Sequence, residues 1–140
     1  MSNPRTGTIL LVDDEDGIRL ALRGQLIARG HTVYEASHGR EALEIVRVRH
    51  GNLDLVLSDV LMPEMTGTEL AAVICDEYPS LPVILMSAYS PAGLLPVGAH
   101  GRKVPLLQKP FASGQVEELI QIALEMPGRP KRESRTQATL

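Results

Sequence analysis

The sequence predicts an α/β protein in which a doubly wound, five-stranded parallel sheet is flanked by about five helices. Short aliphatic runs alternate along the chain with amphipathic stretches of helical period. Several of these runs are nearly continuous in apolar residues, as strands are when helices cover both faces of a parallel sheet. The length of 140 residues is that of one domain, and aromatic residues make up only 3%, so the core has to be aliphatic.

Five runs have the length and the branched composition of strands, namely residues 8–12, 32–36, 53–58, 82–86 and 104–108. Four other stretches place apolar residues on one face of a helix. The face residues are Ile18, Ala21, Leu22 and Leu26, then Ala42, Ile45 and Val46, then Leu70, Val73 and Ile74, and finally Val116, Leu119, Ile120, Ala123 and Leu124. Gly30 is predicted to end the first helix, and Thr66 with Glu69 to begin the third.

The fourth connection, residues 90–103, is predicted to be irregular. It contains two prolines and three glycines, which disfavour a regular helix. We expect at most one or two turns of helix near residues 92–95, followed by a mobile loop. The fourth helix of the fold is therefore predicted to be short or irregular.

The composition excludes several classes of protein. A single cysteine, Cys75, rules out an internal disulfide framework and a thiolate zinc cluster. The histidines, which lack zinc-ligand spacing, are interpreted as surface or loop residues: His31, His38, His50 and His100. No apolar run approaches the roughly 20 residues that span a bilayer, and the N-terminus is too short and polar for a signal peptide. These features predict a cytoplasmic protein without membrane insertion.

The formal net charge of −3 is unevenly distributed. Residues 127–140 hold four basic residues against one acidic residue, whereas residues 1–126 have a net charge of −6. An acidic body argues against direct nucleic-acid binding by the domain itself. We interpret residues 127–140 as a disordered basic tail, with a nucleic-acid or membrane arm as the alternative.

Polar side chains follow several predicted strands at the point where each strand ends. Asp13 and Asp14 follow the first strand, Asp59 the third, Ser87 the fourth and Lys109 the fifth. The carboxyl ends of parallel strands form the edge at which such sheets bind ligands. Three carboxylates gathered there repel one another and so predict a bound cation, and oxygen ligands favour Mg²⁺. A lysine and a hydroxyl beside that ion suit a phosphoryl group.

Four segments in this order, LLVDDED, LVLSDVLMPEMTG, VILMSA and LLQKPF, resemble the receiver domain of response regulators in two-component (histidine–aspartate phosphorelay) signalling. The resemblance covers residues 8–126, between an N-terminal tail at 1–7 and the tail at 127–140. It implies a flavodoxin-like receiver fold and a signalling switch rather than a turnover enzyme. It also implies a histidine kinase or phosphotransfer protein as phosphoryl donor and a downstream protein target, and it leaves a dimer open.

The resemblance assigns the central residues by position. Asp59 would be the phosphoacceptor, and Lys109 would pair with the phosphoryl oxygens. Asp14 would bind Mg²⁺ (or Mn²⁺) directly and Asp13 through water. Asp59 and the main-chain carbonyl of Leu61 would complete the protein ligands of the ion.

The same resemblance gives supporting roles to other positions. Ser87 would donate its hydroxyl to a phosphoryl oxygen once Asp59 is modified. Backbone groups near the phosphoryl group would come from Val60, Leu61 and Ala88. The turn after the phosphoacceptor would be shaped by Pro63 and Gly67, and the bond before Pro110 would be cis.

Two departures from the family pattern affect how phosphorylation at the site would change the conformation of the rest of the domain. Receivers commonly carry Tyr or Phe three residues before the lysine, where this chain has Leu106, and residues 90–103 interrupt the usual fourth helix. We therefore expect the signal to leave through the loop between Ser87 and Lys103. The segments around Ser87 and Lys109 resemble most the receivers attached to hybrid histidine kinases.

The lifetime of the phosphoryl group can also be predicted. Leu61 and Tyr89 lie two residues beyond Asp59 and Ser87, and so flank the expected phosphoryl position. Neither side chain can orient an attacking water as a carboxylate or amide would, so we predict slow self-dephosphorylation.

Two alternative functions remain open. A haloacid-dehalogenase-like phosphatase also uses an aspartate nucleophile on a doubly wound sheet, and the DED sequence at 14–16 matches its first motif. However, no acid pair follows Lys109 at a strand end, since Glu117 and Glu118 lie on the last helix. The second alternative is a receiver-like binding module that works without phosphorylation, which Leu106 and the irregular fourth helix leave open.

Overall fold

The structure is a computed structural model that describes residues 4–125, so the predicted tail at 127–140 lies outside the described residues. The strands are β1 (Thr8–Val12), β2 (Thr32–Ala36), β3 (Leu55–Asp59), β4 (Val83–Ser87), β5 (Gly93–Val97) and β6 (Arg102–Gln108). The helices are α1 (Asp16–Ala28), α2 (Gly39–Arg49), α3 (Gly67–Glu77) and α4 (Ser113–Leu124), and a 3₁₀ turn spans His50–Asn52.

The strands form one sheet in the order β2-β1-β3-β4-β6-β5, in which every neighbouring pair except β5 and β6 is parallel. The predicted doubly wound α/β fold is confirmed. The five predicted strands correspond to β1, β2, β3, β4 and β6, with ends that differ by at most two residues. The strand order reverses between β1 and β3, which is where sheets of this kind bind ligands at their carboxyl edge.

The prediction of a short fourth helix near residues 92–95 is wrong, because that segment is the edge strand β5, antiparallel to β6. Gly98 and Gly101 have φ of +78° and +63°, a conformation that lets the chain turn back sharply. Pro96 cannot donate a helical hydrogen bond, but an edge strand tolerates a proline. The described chain therefore has six strands and four helices, rather than five strands and about five helices.

The core consists of two aliphatic layers, one on each face of the sheet. Leu10 and Val12 pack with the layer under α2 and α3, whereas Ile9 and Leu11 pack with the layer under α1 and α4. Ile18, predicted to face the core from α1, is instead 38% exposed. Between residues 4 and 125, no helix has both the length and the apolar character needed to cross a membrane.

Local signals at the helix ends are confirmed. The side chain of Thr66 accepts a hydrogen bond from the backbone N–H of Glu69, and the Glu69 carboxylate accepts from the backbone N–H of Thr66. Gly30 follows the end of α1 with φ of +96°. The sequence analysis did not predict the cap of α2, which is His38: its Nδ1 accepts a hydrogen bond of 3.2 Å from the backbone N–H of Glu41.

His31 corrects another prediction, since it is buried rather than a surface or loop residue. Its Nδ1 accepts a 3.1 Å hydrogen bond from the backbone N–H of Gly7, so Nε2 carries the ring proton and donates to Glu117 at 3.0 Å. Gln121 also donates to Glu117, at 2.7 Å, and exchanges two hydrogen bonds with the backbone of Arg5. This amino-end network of His31, Glu117 and Gln121 ties residues 5–7 to α4.

Candidate functional site

Three predicted carboxylates meet at the carboxyl edge of the sheet. β1 and β3 are neighbours, with Val12 opposite Ser58, so the residues that come next, Asp13 and Asp59, lie side by side. One oxygen atom from each of Asp13, Asp14 and Asp59 lies within 4.8 Å of the others. Asp13 and Asp59 are buried and Asp14 is exposed. We call these three residues the acidic group.

Lys109 brings a positive charge into the acidic group. β6 lies beside β4, where the Lys109 backbone N–H donates to the Ser87 carbonyl at 2.8 Å, and this pairing sets the lysine at the same edge. Its Nζ lies 2.9 Å from Asp13 Oδ2 and 3.2 Å from Asp59 Oδ1. The bond between Lys109 and Pro110 is cis. One ammonium group thus faces three carboxylates, which leaves the acidic group negative.

Burial and the excess of carboxylates over ammonium groups shift the pKa values of Asp59 and Lys109. Burial raises the pKa of Asp59, and although Lys109 opposes the shift, the charges of Asp13 and Asp14 add to it. Burial alone would lower the pKa of Lys109, but its hydrogen bonds and its attraction to Asp13 and Asp59 raise that pKa overall. Lys109 therefore stays charged at neutral pH, while the folded protein disfavours the ionised form of Asp59.

The turn after Asp59 is held by backbone hydrogen bonds. The Val60 N–H donates to the Met86 carbonyl at 2.8 Å, and the Gly67 N–H donates to the Val60 carbonyl at 2.7 Å. A Cβ atom at Gly67 would collide with the carbonyl oxygen of Asp59, so the start of α3 approaches the site as closely as glycine permits. Pro63 lies within the same turn, where its carbonyl accepts from the Met65 N–H at 2.7 Å.

Ser87 lies at the end of β4, the strand beside β3, and is buried. Its hydroxyl oxygen accepts a 3.1 Å hydrogen bond from the backbone N–H of Tyr89. This hydrogen bond holds the Ser87 hydroxyl against its own loop, and Ala88 and Tyr89 of that loop line a cavity beside the acidic group.

A cavity of about 620 Å³ opens beside the acidic group. Asp14, Asp59 and Lys109 form part of its wall. The rest is largely apolar and includes Ile18, Ala21, Leu22, Leu61, Ala88, Tyr89, Pro110 and Phe111. Several of these side chains are open to solvent, Leu61 at 52% and Tyr89 at 80%. The sequence analysis placed Leu61, Ala88 and Tyr89 here but missed the part of the wall that α1 contributes, because it assigned the whole apolar face of α1 to the core.

Arg19 is a further residue that the sequence analysis missed. It lies in α1, three residues after Asp16, and its side chain is largely buried. Its Nη1 donates to the main-chain carbonyl of Asp13 at 2.7 Å, which connects it to the acidic group. An arginine near a helix start is ordinary in sequence, so only the fold reveals this contact.

Comparisons with known proteins identify the family of this chain. The model of the response regulator receiver domain family matches residues 9–121. Sensor kinase CckA of Brucella abortus (strain 2308) is 40% identical over 123 residues, which cover 86% of this chain and 13% of the kinase. The DNA-binding transcriptional regulator NtrC of Proteus hauseri is 30% identical, over 84% of this chain and 24% of the regulator. The chain spans less than a quarter of the length of these two relatives.

Solved structures give the same result. A receiver domain from the hybrid histidine kinase CckA superposes with a TM-score of 0.72 at 34% identity, covering 85% of this chain and all of that one. A response regulator receiver domain protein from Clostridium thermocellum, at 22% identity and a TM-score of 0.73, supports the fold alone. The predicted likeness to hybrid-kinase receivers is confirmed. The chain belongs to the response regulator receiver domain family, the signalling domains of two-component systems.

Proposed function

We propose that this domain accepts a phosphoryl group on Asp59 from a histidine kinase or phosphotransfer protein and thereby switches a protein-interaction surface. One observation carries the proposal: Lys109 Nζ contacts both Asp13 and Asp59 within an acidic group that stays negative overall. A carboxylate nucleophile, a fixed cation and surplus acidic oxygens are what phosphoryl transfer to an aspartate requires.

The donor set fits Mg²⁺ or Mn²⁺. All side-chain donors of the acidic group are carboxylate oxygens, and their mutual repulsion is relieved by a divalent cation. Asp13, Asp14 and Asp59 would hold the ion, with the main-chain carbonyl of Leu61 as a further ligand. When bound, the ion would neutralise charge shared between the carboxylates and the phosphoryl oxygens.

The transfer step follows from these contacts. A carboxylate oxygen of Asp59 attacks the phosphorus of the donor phosphohistidine, so that a P–O bond forms as the P–N bond breaks. The donor imidazole leaves as a neutral group after it takes up a proton. Lys109 gives up its ion pair with the Asp59 carboxylate and neutralises the phosphoryl oxygens, while Asp13 keeps the ammonium group in place.

Switching can begin at Ser87. Its hydroxyl accepts the N–H of Tyr89, so turning it toward a phosphoryl group on Asp59 breaks that bond and releases the loop. This loop leads directly into β5, and movement there would alter the β5–β6 edge of the sheet. The phosphoryl group would thus favour one of two loop conformations by binding it better. Leu61 and Tyr89, both exposed beside Asp59, carry no carboxylate or amide to orient an attacking water, so we expect phospho-Asp59 to outlast seconds in Mg²⁺.

The phosphatase alternative gains no support from the site. Glu117, one of the two acids on the last helix, pairs with His31 near the amino ends of β1 and β2, away from Asp59. A receiver-like module that works without phosphorylation stays an outcome of the test below.

Intact mass spectrometry tests the proposal. The chain is incubated with Mg²⁺ and acetyl phosphate beside Asp59→Asn and, as a matched control, Asp54→Asn, which alters a buried carboxylate at the other end of β3. We expect a gain of about 80 Da, one phosphoryl group, in the wild type and the control but not in Asp59→Asn. Hydrolysis of the phosphodonor without an adduct would support a phosphatase. Neither adduct nor hydrolysis, repeated with a phosphohistidine donor, would support a phosphorylation-independent module.

A further inference from the structure

We propose that Arg19 is a positioning residue, which holds the peptide between Asp13 and Asp14 in the orientation that a divalent cation needs. The proposal rests on the function proposed above, because it presumes that the acidic group binds the ion. It assigns a role to a residue outside that group.

Each nitrogen of the Arg19 guanidinium group has a different partner. Nη1 donates to the main-chain carbonyl of Asp13 at 2.7 Å, Nη2 to Asp16 Oδ1 at 2.8 Å and Nε to Glu35 Oε1 at 3.1 Å. The partners belong to the end of β1, the first turn of α1 and strand β2. Only 13% of the Arg19 side chain is exposed, so the planar guanidinium group is held between three elements of the fold.

The carbonyl that Arg19 holds belongs to the peptide bond that leads into Asp14. Asp14 is exposed, so packing does little to fix its carboxylate, and the orientation of this peptide limits the positions that the carboxylate can reach. The other side of this loop is fixed by Asp13, whose Oδ1 accepts from the Glu15 N–H at 3.0 Å and whose Oδ2 pairs with Lys109. With the carbonyl also held, the loop is in place before the ion arrives and loses little conformational freedom on binding.

The positive charge of Arg19 acts in the opposite direction. A guanidinium group near the acidic group repels an incoming cation, so removing the charge alone would strengthen binding. A neutral residue in place of Arg19 is therefore expected to weaken cation binding if the geometric role dominates and to strengthen it if charge repulsion dominates. Measuring the affinity distinguishes the two. Arg23 provides the matched control, since it also pairs with Glu35, at 3.1 Å, but from a side chain that is 44% exposed.

The experiment measures binding of Mn²⁺ to the full chain from the electron paramagnetic resonance of the free ion, with Mg²⁺ as competitor. Arg19→Gln removes the fork and the charge, whereas Arg19→Lys removes the fork and keeps the charge. We expect both variants to bind Mn²⁺ about tenfold more weakly than the wild type, as loss of an outer-shell partner does elsewhere. Arg23→Gln should stay within about twofold, because an exposed charge is screened. Circular dichroism at the same temperature confirms that each variant is folded.

Each outcome decides the matter. Equal or tighter binding by Arg19→Gln overturns the positioning role and leaves charge repulsion as its effect. Weak binding by Arg19→Gln with wild-type binding by Arg19→Lys also overturns it, since the fork would then be unnecessary. A wild-type chain that binds no Mn²⁺, or one whose binding survives Asp14→Asn, overturns the proposed metal site and this inference together.

Discussion

The two ends of the parallel sheet bury charged side chains in opposite ways. Near the amino ends of β1 and β2, His31 donates to Glu117 and accepts from the backbone of Gly7, so donors and acceptors are matched. At the carboxyl ends of β1 and β3, the acidic group presents three carboxylates to the single ammonium of Lys109. The matched end ties residues 5–7 to α4, whereas the unmatched end keeps its excess negative charge.

This difference separates stability from function. A buried polar group that is fully paired costs the fold little, and a buried charge without compensation costs it much. The excess negative charge of the acidic group therefore lowers the stability of the folded protein. A bound divalent cation and a phosphoryl group would together compensate this loss. Substitutions at the amino end of the sheet should change stability and leave phosphorylation of Asp59 intact. Substitutions at the carboxyl end should change both stability and phosphorylation.

The largest effect is expected for Lys109→Met. Removing the Lys109 ammonium group leaves the fully buried Asp13 carboxylate beside Asp59 without its ion-pair partner. We expect the free energy of unfolding, measured by urea denaturation without divalent cations, to fall by about 3–5 kcal/mol. Millimolar Mg²⁺ should restore part of the loss, because it binds the folded state.

The control for this prediction is Lys103→Met, at an exposed position on β6. It should change the free energy of unfolding by less than about 0.5 kcal/mol. If Lys109→Met were equally mild, or were insensitive to Mg²⁺, the lysine would not be the main counter-charge of Asp13 and Asp59.

His31→Ala tests the matched end. It leaves the buried Glu117 carboxylate without its imidazole partner and the Gly7 N–H without an acceptor. We expect a loss of about 2–4 kcal/mol in urea denaturation. Phosphorylation by acetyl phosphate should proceed at a near wild-type rate at a temperature where the variant is folded. A large loss of phosphorylation in folded His31→Ala would contradict the separation of the two ends.

Gly67→Ala tests how tightly the carboxyl end is built. The new methyl group would collide with the Asp59 carbonyl, so the start of α3 has to shift, at a cost of about 1–3 kcal/mol. Phosphorylation should slow as well, since Asp59 moves with its carbonyl. Gly24→Ala is the control, because its Cβ meets nothing within 4 Å in the middle of α1, and it should stabilise by up to about 1 kcal/mol.

Sequence reasoning reached the acidic group because its signals are local. Asp13 and Asp59 directly follow or end aliphatic strands, and the rule for parallel sheets brings those ends together. It failed for β5, since the prolines and glycines of residues 90–103 indicate only that a helix is disfavoured, and pairing with β6 decides the structure. It also failed for His31, whose partners Gly7 and Glu117 are 24 and 86 residues away in the chain.

The smallest predicted effect concerns Asp59→Asn without divalent cations, where the variant should be more stable than the wild type. Burial, with repulsion from Asp13 and Asp14, raises the pKa of Asp59 in the folded state despite Lys109. The folded chain therefore holds this proton more tightly than the unfolded chain does. The stability contributed by Asp59 is then lost as pH rises from the ordinary aspartate range through the raised pKa.

An asparagine has no such charge, so it should add on the order of 1 kcal/mol to the free energy of unfolding at pH 7 and flatten its pH dependence. Saturating Mg²⁺ should reverse the order, because the ion stabilises the wild type more than the variant. Asp54→Asn, at the other end of β3, should show neither the gain nor the reversal, because this carboxylate accepts the Thr8 N–H at 2.8 Å. A wild type that stays more stable than Asp59→Asn without Mg²⁺ would mean that Lys109 already compensates the acidic group, and the two ends of the sheet would then be equally balanced.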